Sequence, residues 1–222
     1  LAISQGSLRR GSAAVYLDIS HPEIEEFLEI RKASGDFNRK GLNLHHGINI
    51  TDEFMLCVKE GRKFGLKSPK DGTVLREIDA RQLWQRILET RLQTGEPYIL
   101  NIDAVNRALP KHQRELGLRV NTSNLCSEIT LPTGADHDGK ERTAVCCLSS
   151  LNVETWDQWE GQEGFVEDVL RMLDNVLTSF IETAPDSMSR AKYSALRERS
   201  VGLGVMGFHS FLQSKGIALE SA

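Results

Sequence analysis

"AAVYLDISHPEIEEFLEIRK", residues 13–32, changes its periodicity half-way along, and that change sets the kind of fold. Residues 13–18, "AAVYLD", are a short apolar run and predict a buried strand. Ser20, followed by Pro22 and Glu23, fits a capping box. The serine oxygen accepts from a free backbone N–H, the glutamate reaches back, and the proline presets the first turn. The spacing predicts a helix over 21–32, with Ile24, Phe27 and Leu28 on its inner face. A polar loop, "ASGDFNRKG", residues 33–41, leads into "LNLHHGINI", 42–50, whose alternation predicts a second strand. Strand, helix and strand in this order favour a parallel pairing.

The pattern continues outward. Thr51 can cap a helix carrying Phe54, Met55 and Val58. Strands are predicted around 64–68 and 74–78, on either side of the turn signal Asp71-Gly72. Asp79 with Gln82 can cap "ARQLWQRILETRLQ", which stops at Gly95. "PYILNID", beginning at Pro97, reads as a strand, as do 121–132 and "TAVCCLSSLNV", 143–153. Residues 164–182 place Phe165, Val169, Leu173, Val176, Leu177 and Phe180 at helical spacing. The alternation predicts an α/β fold with a largely parallel sheet or barrel. No linker-like segment or internal repeat divides it, so one domain over 1–222 is expected. The chain opens on Leu1 rather than Met and stops at Ala222 just past a helix-like segment, which suggests a piece of something longer.

With 222 residues, 40% hydrophobic and 26% charged, the chain can bury a substantial core. A net charge of -4 and a pI near 5.9 argue against a partner such as nucleic acid or a membrane surface. No stretch approaches the roughly 18 apolar residues of a membrane span, and no signal-peptide pattern opens the chain. A cytoplasmic setting is expected. Cys57, Cys126, Cys146 and Cys147 are too few for a disulfide scaffold and contain no C-x-x-C, so structural zinc has little support. In such a setting the sequon Asn121-Thr122-Ser123 carries no meaning.

Three other motifs are discounted. "GLGVMG", 202–207, satisfies the dinucleotide pattern G-x-G-x-x-G, but the charged "ALRERS" before it is not the required strand. Close helix packing is the favoured reading of these glycines, ahead of a dinucleotide-dependent oxidoreductase. "GRKFGLKS", 61–68, has its glycine and lysine at the wrong offsets for a phosphate loop and reads as a hairpin. "ADHDG", 135–139, reads as a surface loop rather than a metal site. His45 and His46 point to opposite faces of a strand, so they are not expected to act as a pair.

"NTSNLCSEITLP", residues 121–132, carries the chemistry. As an extended strand it would set Asn124, Cys126 and Glu128 on one face, with Leu125, Ser127 and Ile129 on the other. Taken alone, an edge strand with a wet face and an incidental cysteine accounts for it equally well. No histidine stands beside Cys126 to activate it, and the Glu128 anion disfavours a thiolate, so ordinary nucleophilic catalysis is disfavoured. A cysteine can also carry a hydrogen atom.

Taken together, "SNLCSEI", "AVCCLSSLN", "RKASGDFNRKGLNLHHG" and "RSVGLGVMGF" resemble the large, catalytic subunit of aerobic (class I) ribonucleoside-diphosphate reductase. The resemblance runs from about Gln5 to the end of the chain, with the motifs in family order. The cobalamin-dependent branch typically has N-P-C-G-E, so Leu125 and Ser127 favour class I. The resemblance implies part of the family's ten-stranded α/β barrel, with the radical cysteine on a central loop. Cys126 would become a thiyl radical and take the C3′ hydrogen of the ribose. Glu128 would accept the 3′-hydroxyl proton, and Asn124 would hold the sugar. Cys146 would be one member of the dithiol that supplies two electrons, whereas Cys147, one place off the motif, is read as packing. The loop 32–41, with Ser34, Gly35, Asp36, Asn38, Arg39 and Lys40, matches the segment that relays effector identity to the substrate base.

The resemblance also implies partners. These are a second large subunit, a metal-containing small subunit that supplies the radical, a ribonucleoside diphosphate substrate, nucleoside triphosphate effectors, and thioredoxin or glutaredoxin as reductant. No cofactor or metal is expected in this chain itself. The second thiol of the dithiol, the activity domain, most of the effector pocket, the substrate-phosphate loop, the tyrosine pair and the C-terminal cysteines are not found in these residues. The piece alone is therefore expected to be inactive. The alternative is a catalytically inactive remnant or split-gene piece that serves as an assembly module.

Overall fold

A computed structural model describes residues 4–6 and 8–221. The chain divides into two compact units, Leu1–Thr133 and Gly134–Ala222. The first is built on three parallel strands, Ala14–Asp18, His45–Ile50 and Tyr98–Asn101, with His45–Ile50 in the middle. A middle strand is covered on both sides, so the alternation expected over 42–50 is not realised. His46 through Ile50 are all buried.

The helix expected over 21–32 is a single turn, Ile24–Phe27. Its capping box does not form, because the Glu23 N–H goes to His21 Nδ1 at 3.2 Å. The inner face is as expected, with Ile24 and Leu28 fully buried and Phe27 packed against them. Thr51 accepts from the Phe54 N–H and starts Asp52–Glu60. Asp79 accepts from the Gln82 N–H and starts Ala80–Thr94, which ends at Gly95. The core gathers Ile48, Ile50, Phe54, Leu66, Leu83 and Ile87, each worth about 1.5–3 kcal/mol when buried. Lys63–Lys67 and Val74–Asp79 form an antiparallel hairpin, which settles "GRKFGLKS" as a strand.

The strand from Pro97 is shorter than expected. Tyr98–Asn101 gives way at once to the helix Ile102–Ala108, and Lys111–Glu115 follows. Asn106 on the first of these helices donates to the Val120 carbonyl and accepts from the Val120 N–H, both at 2.9 Å. Asn49 donates to the Asn121 carbonyl at 3.0 Å. These bonds fix the chain where it enters the 121–132 stretch.

In the second unit Cys147–Asn152 pairs in parallel with Val201–Met206, joined through the helices Phe165–Thr183 and Ser189–Glu198. Cys147, Leu173, Leu177 and Ala195 form its core. "GLGVMG" is therefore itself a strand, which corrects the helix-packing reading. A Cβ at Gly202 would lie 2.6 Å from Leu148 Cδ2, so the glycine makes room for the neighbouring strand's side chain. The fold is mixed α/β. Among the described residues the sheets have two or three strands each and none closes into a barrel. No described helix is long and apolar enough to cross a membrane.

Candidate active site

The stretch 121–132 is not a strand. The chain doubles back, with Asn124 N–H donating to the Ile129 carbonyl at 3.2 Å and Ile129 N–H donating to Asn124 Oδ1 at 3.0 Å. Ser127 N–H donates to the Asn124 carbonyl at 3.2 Å, and Ser127 itself has φ 70°. A residue in that left-handed region breaks period-two alternation. Asn124, Cys126 and Glu128 therefore share a tight turn rather than a strand face. Asn124 closes the neck, Cys126 and Glu128 are exposed towards the tip, and Leu125, Ser127 and Ile129 are half-buried. Because Asn124 Oδ1 is committed to Ile129, a ligand would meet the amide nitrogen instead.

Two tyrosines stand behind this turn. Tyr16 Oη donates to the Asn124 carbonyl at 3.2 Å, a bond spanning 108 positions of sequence. Tyr16, Gly47 and Tyr98 are register partners across the three strands. A Cβ at Gly47 would lie 2.4 Å from the Tyr16 ring, so only glycine lets that ring lie across the middle strand. Burial, and then the charges of Glu96, Cys126 and Tyr16, push the Tyr98 phenol up. Neither tyrosine is among the residues expected from the sequence; the available signal is Gly47, a glycine inside a strand whose two neighbours in register are aromatic.

Glu96 is likewise not among the residues expected from the sequence. This carboxylate is buried and takes the His46 N–H at 3.1 Å, His46 Nδ1 at 3.0 Å, His45 Nδ1, and Arg31 Nε at 3.3 Å. Burial raises its pKa, but the hydrogen bonds from His45 and His46 and the Arg31 charge bring it below the usual value. Burial holds His46 below 6.5 despite Glu96. Neutral His46 then keeps its proton on Nδ1, and Nε2 is a buried atom without a partner. The two histidines do meet one group, contrary to expectation. Glu96 sits just before the Tyr98 strand, at the sheet's end, where one carboxylate reaches residues that point apart.

The loop residues Ser34, Gly35, Asp36 and Asn38 are exposed, and Arg39 and Lys40 are tied down. Asp36 accepts from the Asn38 N–H at 2.9 Å and opens the short helical turn Phe37–Arg39. Arg39 pairs with Glu26, and Lys40 Nζ donates to the Glu29 carbonyl at 2.9 Å. The loop borders a cavity of about 500 Å³ whose other wall includes Glu25, Glu29 and Arg86.

In the second unit Cys146 is exposed and Cys147 is buried, its thiol donating to the Leu173 carbonyl at 3.3 Å. Cys147 is packing, as expected. None of the four cysteines is in a disulfide. The segment "ADHDG" is a surface loop, as expected, with Ala135, His137, Asp138 and Gly139 exposed, and Asp136 is the exception. It is buried, with Arg142 at 3.0 Å, the Tyr193 hydroxyl at 2.7 Å, and the Asp138 and Lys140 N–H groups. Burial works against ionisation there, but these donors hold the carboxyl well below the usual range. Among the described residues, no three His, Cys, Asp or Glu side chains cluster to hold a metal.

With this geometry in place, the family described as "Ribonucleotide reductase, barrel domain" matches residues 1–222. The chain belongs to that family. It is 51% identical to a ribonucleoside-diphosphate reductase large subunit of Frog virus 3 (isolate Goorha), over 98% of this chain and 38% of the relative. It is 43% identical to the large subunit of Invertebrate iridescent virus 3, over 99% of this chain and 43% of the relative. Among solved structures, the class Id ribonucleotide reductase alpha subunit of Actinobacillus ureae matches with a TM-score of 0.76 at 32% identity, covering 97% of this chain and 37% of that one. The chain therefore spans about two fifths of the length of these relatives.

Proposed function

We propose that the chain carries the hydrogen-abstracting site of a ribonucleoside-diphosphate reductase, with Cys126 as radical carrier and Glu128 as base. The observation that supports this most is the turn itself. It exposes a thiol and a carboxylate two residues apart on a neck fixed by Asn124 and Tyr16. Preorganised placement of this kind is what a positioned acid–base step needs.

In the proposed reaction the Cys126 thiyl radical takes the C3′ hydrogen, forming S–H and leaving a carbon radical. Glu128 accepts the 3′-hydroxyl proton while the 2′-hydroxyl leaves, protonated, as water. Cys146 and a second thiol become a disulfide: one of their protons completes the water, the other is added at C2′, their two electrons reduce C2′ and the C3′ carbonyl, and Glu128 returns its proton to the 3′-oxygen. Cys126 then returns its hydrogen to C3′. The radical comes from a metal-containing small subunit, two large subunits associate, nucleoside triphosphates act through the 32–41 loop, and thioredoxin or glutaredoxin re-reduces the disulfide. The setting is cytoplasmic.

The test is a holoenzyme in which residues 1–222 occupy the barrel-domain positions of the large subunit. Cys126→Ser, Glu128→Gln and Cys146→Ser should each bring deoxyribonucleotide formation to background with thermal stability unchanged. Turnover retained by Cys126→Ser would reject the assignment and favour an assembly module.

A further inference from the structure

We propose that Tyr16 is a positioning residue for hydrogen abstraction, whose hydroxyl, carried on the first strand, aims the turn that bears the Cys126 thiol and the Glu128 carboxylate. This rests on the reading of Cys126 as radical carrier and Glu128 as base.

The aim is set at Asn124, where nearly all hydrogen-bonding capacity is already used. Its N–H donates to the Ile129 carbonyl at 3.2 Å, and its Oδ1 accepts from the Ile129 N–H at 3.0 Å. Its carbonyl accepts from the Ser127 N–H and from Tyr16 Oη, each at 3.2 Å. With both oxygens engaged, only the side-chain NH2 is left for a ligand, and a donor suits the lone pair of a ribose hydroxyl oxygen. The bonds to Ile129 and Ser127 are internal to the turn. They fix its shape but not where it points.

Direction has to come from outside. Among the described residues, the bond from Tyr16 is the only hydrogen bond that reaches residues 122–129 from beyond that stretch. The remaining ties lie at the base, where Asn49 donates to the Asn121 carbonyl and Asn121 Nδ2 donates to the Thr133 carbonyl at 2.8 Å. A turn held only at its base can swing as a body. A bond at Asn124 opposes that swing.

Tyr16 is suited to this because its ring has little room to move. It lies across Gly47, where a Cβ would come within 2.4 Å, and it packs against Leu100, Ile102, Leu109 and Val120. Its strand is paired along its length with the middle strand of the sheet. The hydroxyl is therefore presented by a rigid element, which is what precise placement of reacting groups needs. One hydrogen bond adds little to folding, whereas a small displacement of a thiol and a base from the atoms they act on slows the reaction sharply. The bond makes no contact with the sugar. Its loss should therefore fall on kcat rather than on KM.

In the holoenzyme carrying residues 1–222, kcat, KM and the C3′ deuterium isotope effect on kcat are measured for the parent, Tyr16→Phe and Cys126→Ser. Tyr193→Phe is the control, since it removes a tyrosine hydroxyl bond to Asp136 in the second unit. Tyr16→Phe keeps the ring and loses only the bond. It should lower kcat about three- to tenfold, with KM near the parent value and a larger isotope effect, because hydrogen transfer becomes the slower step. Tyr193→Phe should lose stability and leave the isotope effect as it is. An unchanged kcat and isotope effect in Tyr16→Phe, with Cys126→Ser inactive, would overturn the proposal and leave the assignment of Cys126 standing. Turnover retained by Cys126→Ser would remove that assignment and the proposal together. A fall in kcat that Tyr193→Phe reproduces, with no change of isotope effect in either variant, would mark a merely structural role and also overturn the proposal.

Discussion

The turn at 124–129 and the strand entry at 145–148 each present a cysteine, by different means. At the strand entry the pleat does the sorting, since Cys146 is exposed, Cys147 is buried and Leu148 is exposed again. Period two is a local property, so the alternation can be read straight from the residues. At the turn, Cys126 and Glu128 are exposed with the same spacing, but the backbone reverses at Ser127 and the neck is held by Tyr16 from another strand. The same pattern of residues can thus arise from a pleat or from a supported turn, and only the second depends on distant contacts.

That difference can be tested from the largest effect downward. Glu96→Ala should destabilise the first unit by about 3 kcal/mol, the low end for breaking a buried ion pair because Arg31 is partly exposed, as read by denaturant unfolding. The pH dependence of the parent follows from the same group. His46 has a folded pKa below 6.5, so above 6.5 it contributes nothing. Below 6.5 the unfolded chain takes up a proton that the folded one refuses, and stability falls. Glu96 is held below its ordinary 4.5, so its contribution is complete above 4.5 and is lost as pH drops through the folded value. Asp136 in the second unit keeps its contribution until pH falls below its ordinary 3.8. Acid titration followed by hydrogen exchange should therefore loosen the first unit before the second. Loosening in the reverse order would break the comparison.

Gly47→Ala should cost about 1–3 kcal/mol, because the added methyl displaces the Tyr16 ring. It should also change the rate at which Cys126 reacts with a thiol reagent while leaving the Cys146 rate alone. Cys147→Ala should cost about 1 kcal/mol in the second unit and leave Cys126 labelling unchanged. Tyr16→Phe, which removes one hydrogen bond, should have the smallest effect, about 0.5–1.5 kcal/mol, again with altered Cys126 labelling. If neither Gly47→Ala nor Tyr16→Phe changes that labelling, the turn does not depend on the sheet behind it.

What could be read in the sequence was local. Thr51 and Asp79 cap their helices as expected because the bond partner lies three residues on. The parallel pairing of Ala14–Asp18 with His45–Ile50 followed from the order strand, helix, strand, and Cys147 as packing followed from the resemblance, one place off the motif. The failures lie where tertiary contacts decide. Ser20 and Glu23 had the residues of a capping box, but His21 took the Glu23 N–H, and the long helix became one turn. Nothing local in "NLCSE" signals a positive φ at a serine. The opposite-face rule for His45 and His46 is sound within a strand, yet a carboxylate at the sheet's end evades it. Asp136 looked solvated because Arg142 and Tyr193, which bury and pair it, lie 6 and 57 residues away.

The most direct measurement follows the fate of the C3′ hydrogen. In the holoenzyme carrying residues 1–222, a ribonucleoside diphosphate deuterated at C3′ should turn over more slowly than the protiated substrate. The deoxyribonucleotide should retain that deuterium, because Cys126 takes it and gives it back. Turnover with no isotope effect, and with the label washed out into water, would contradict Cys126 as the carrier.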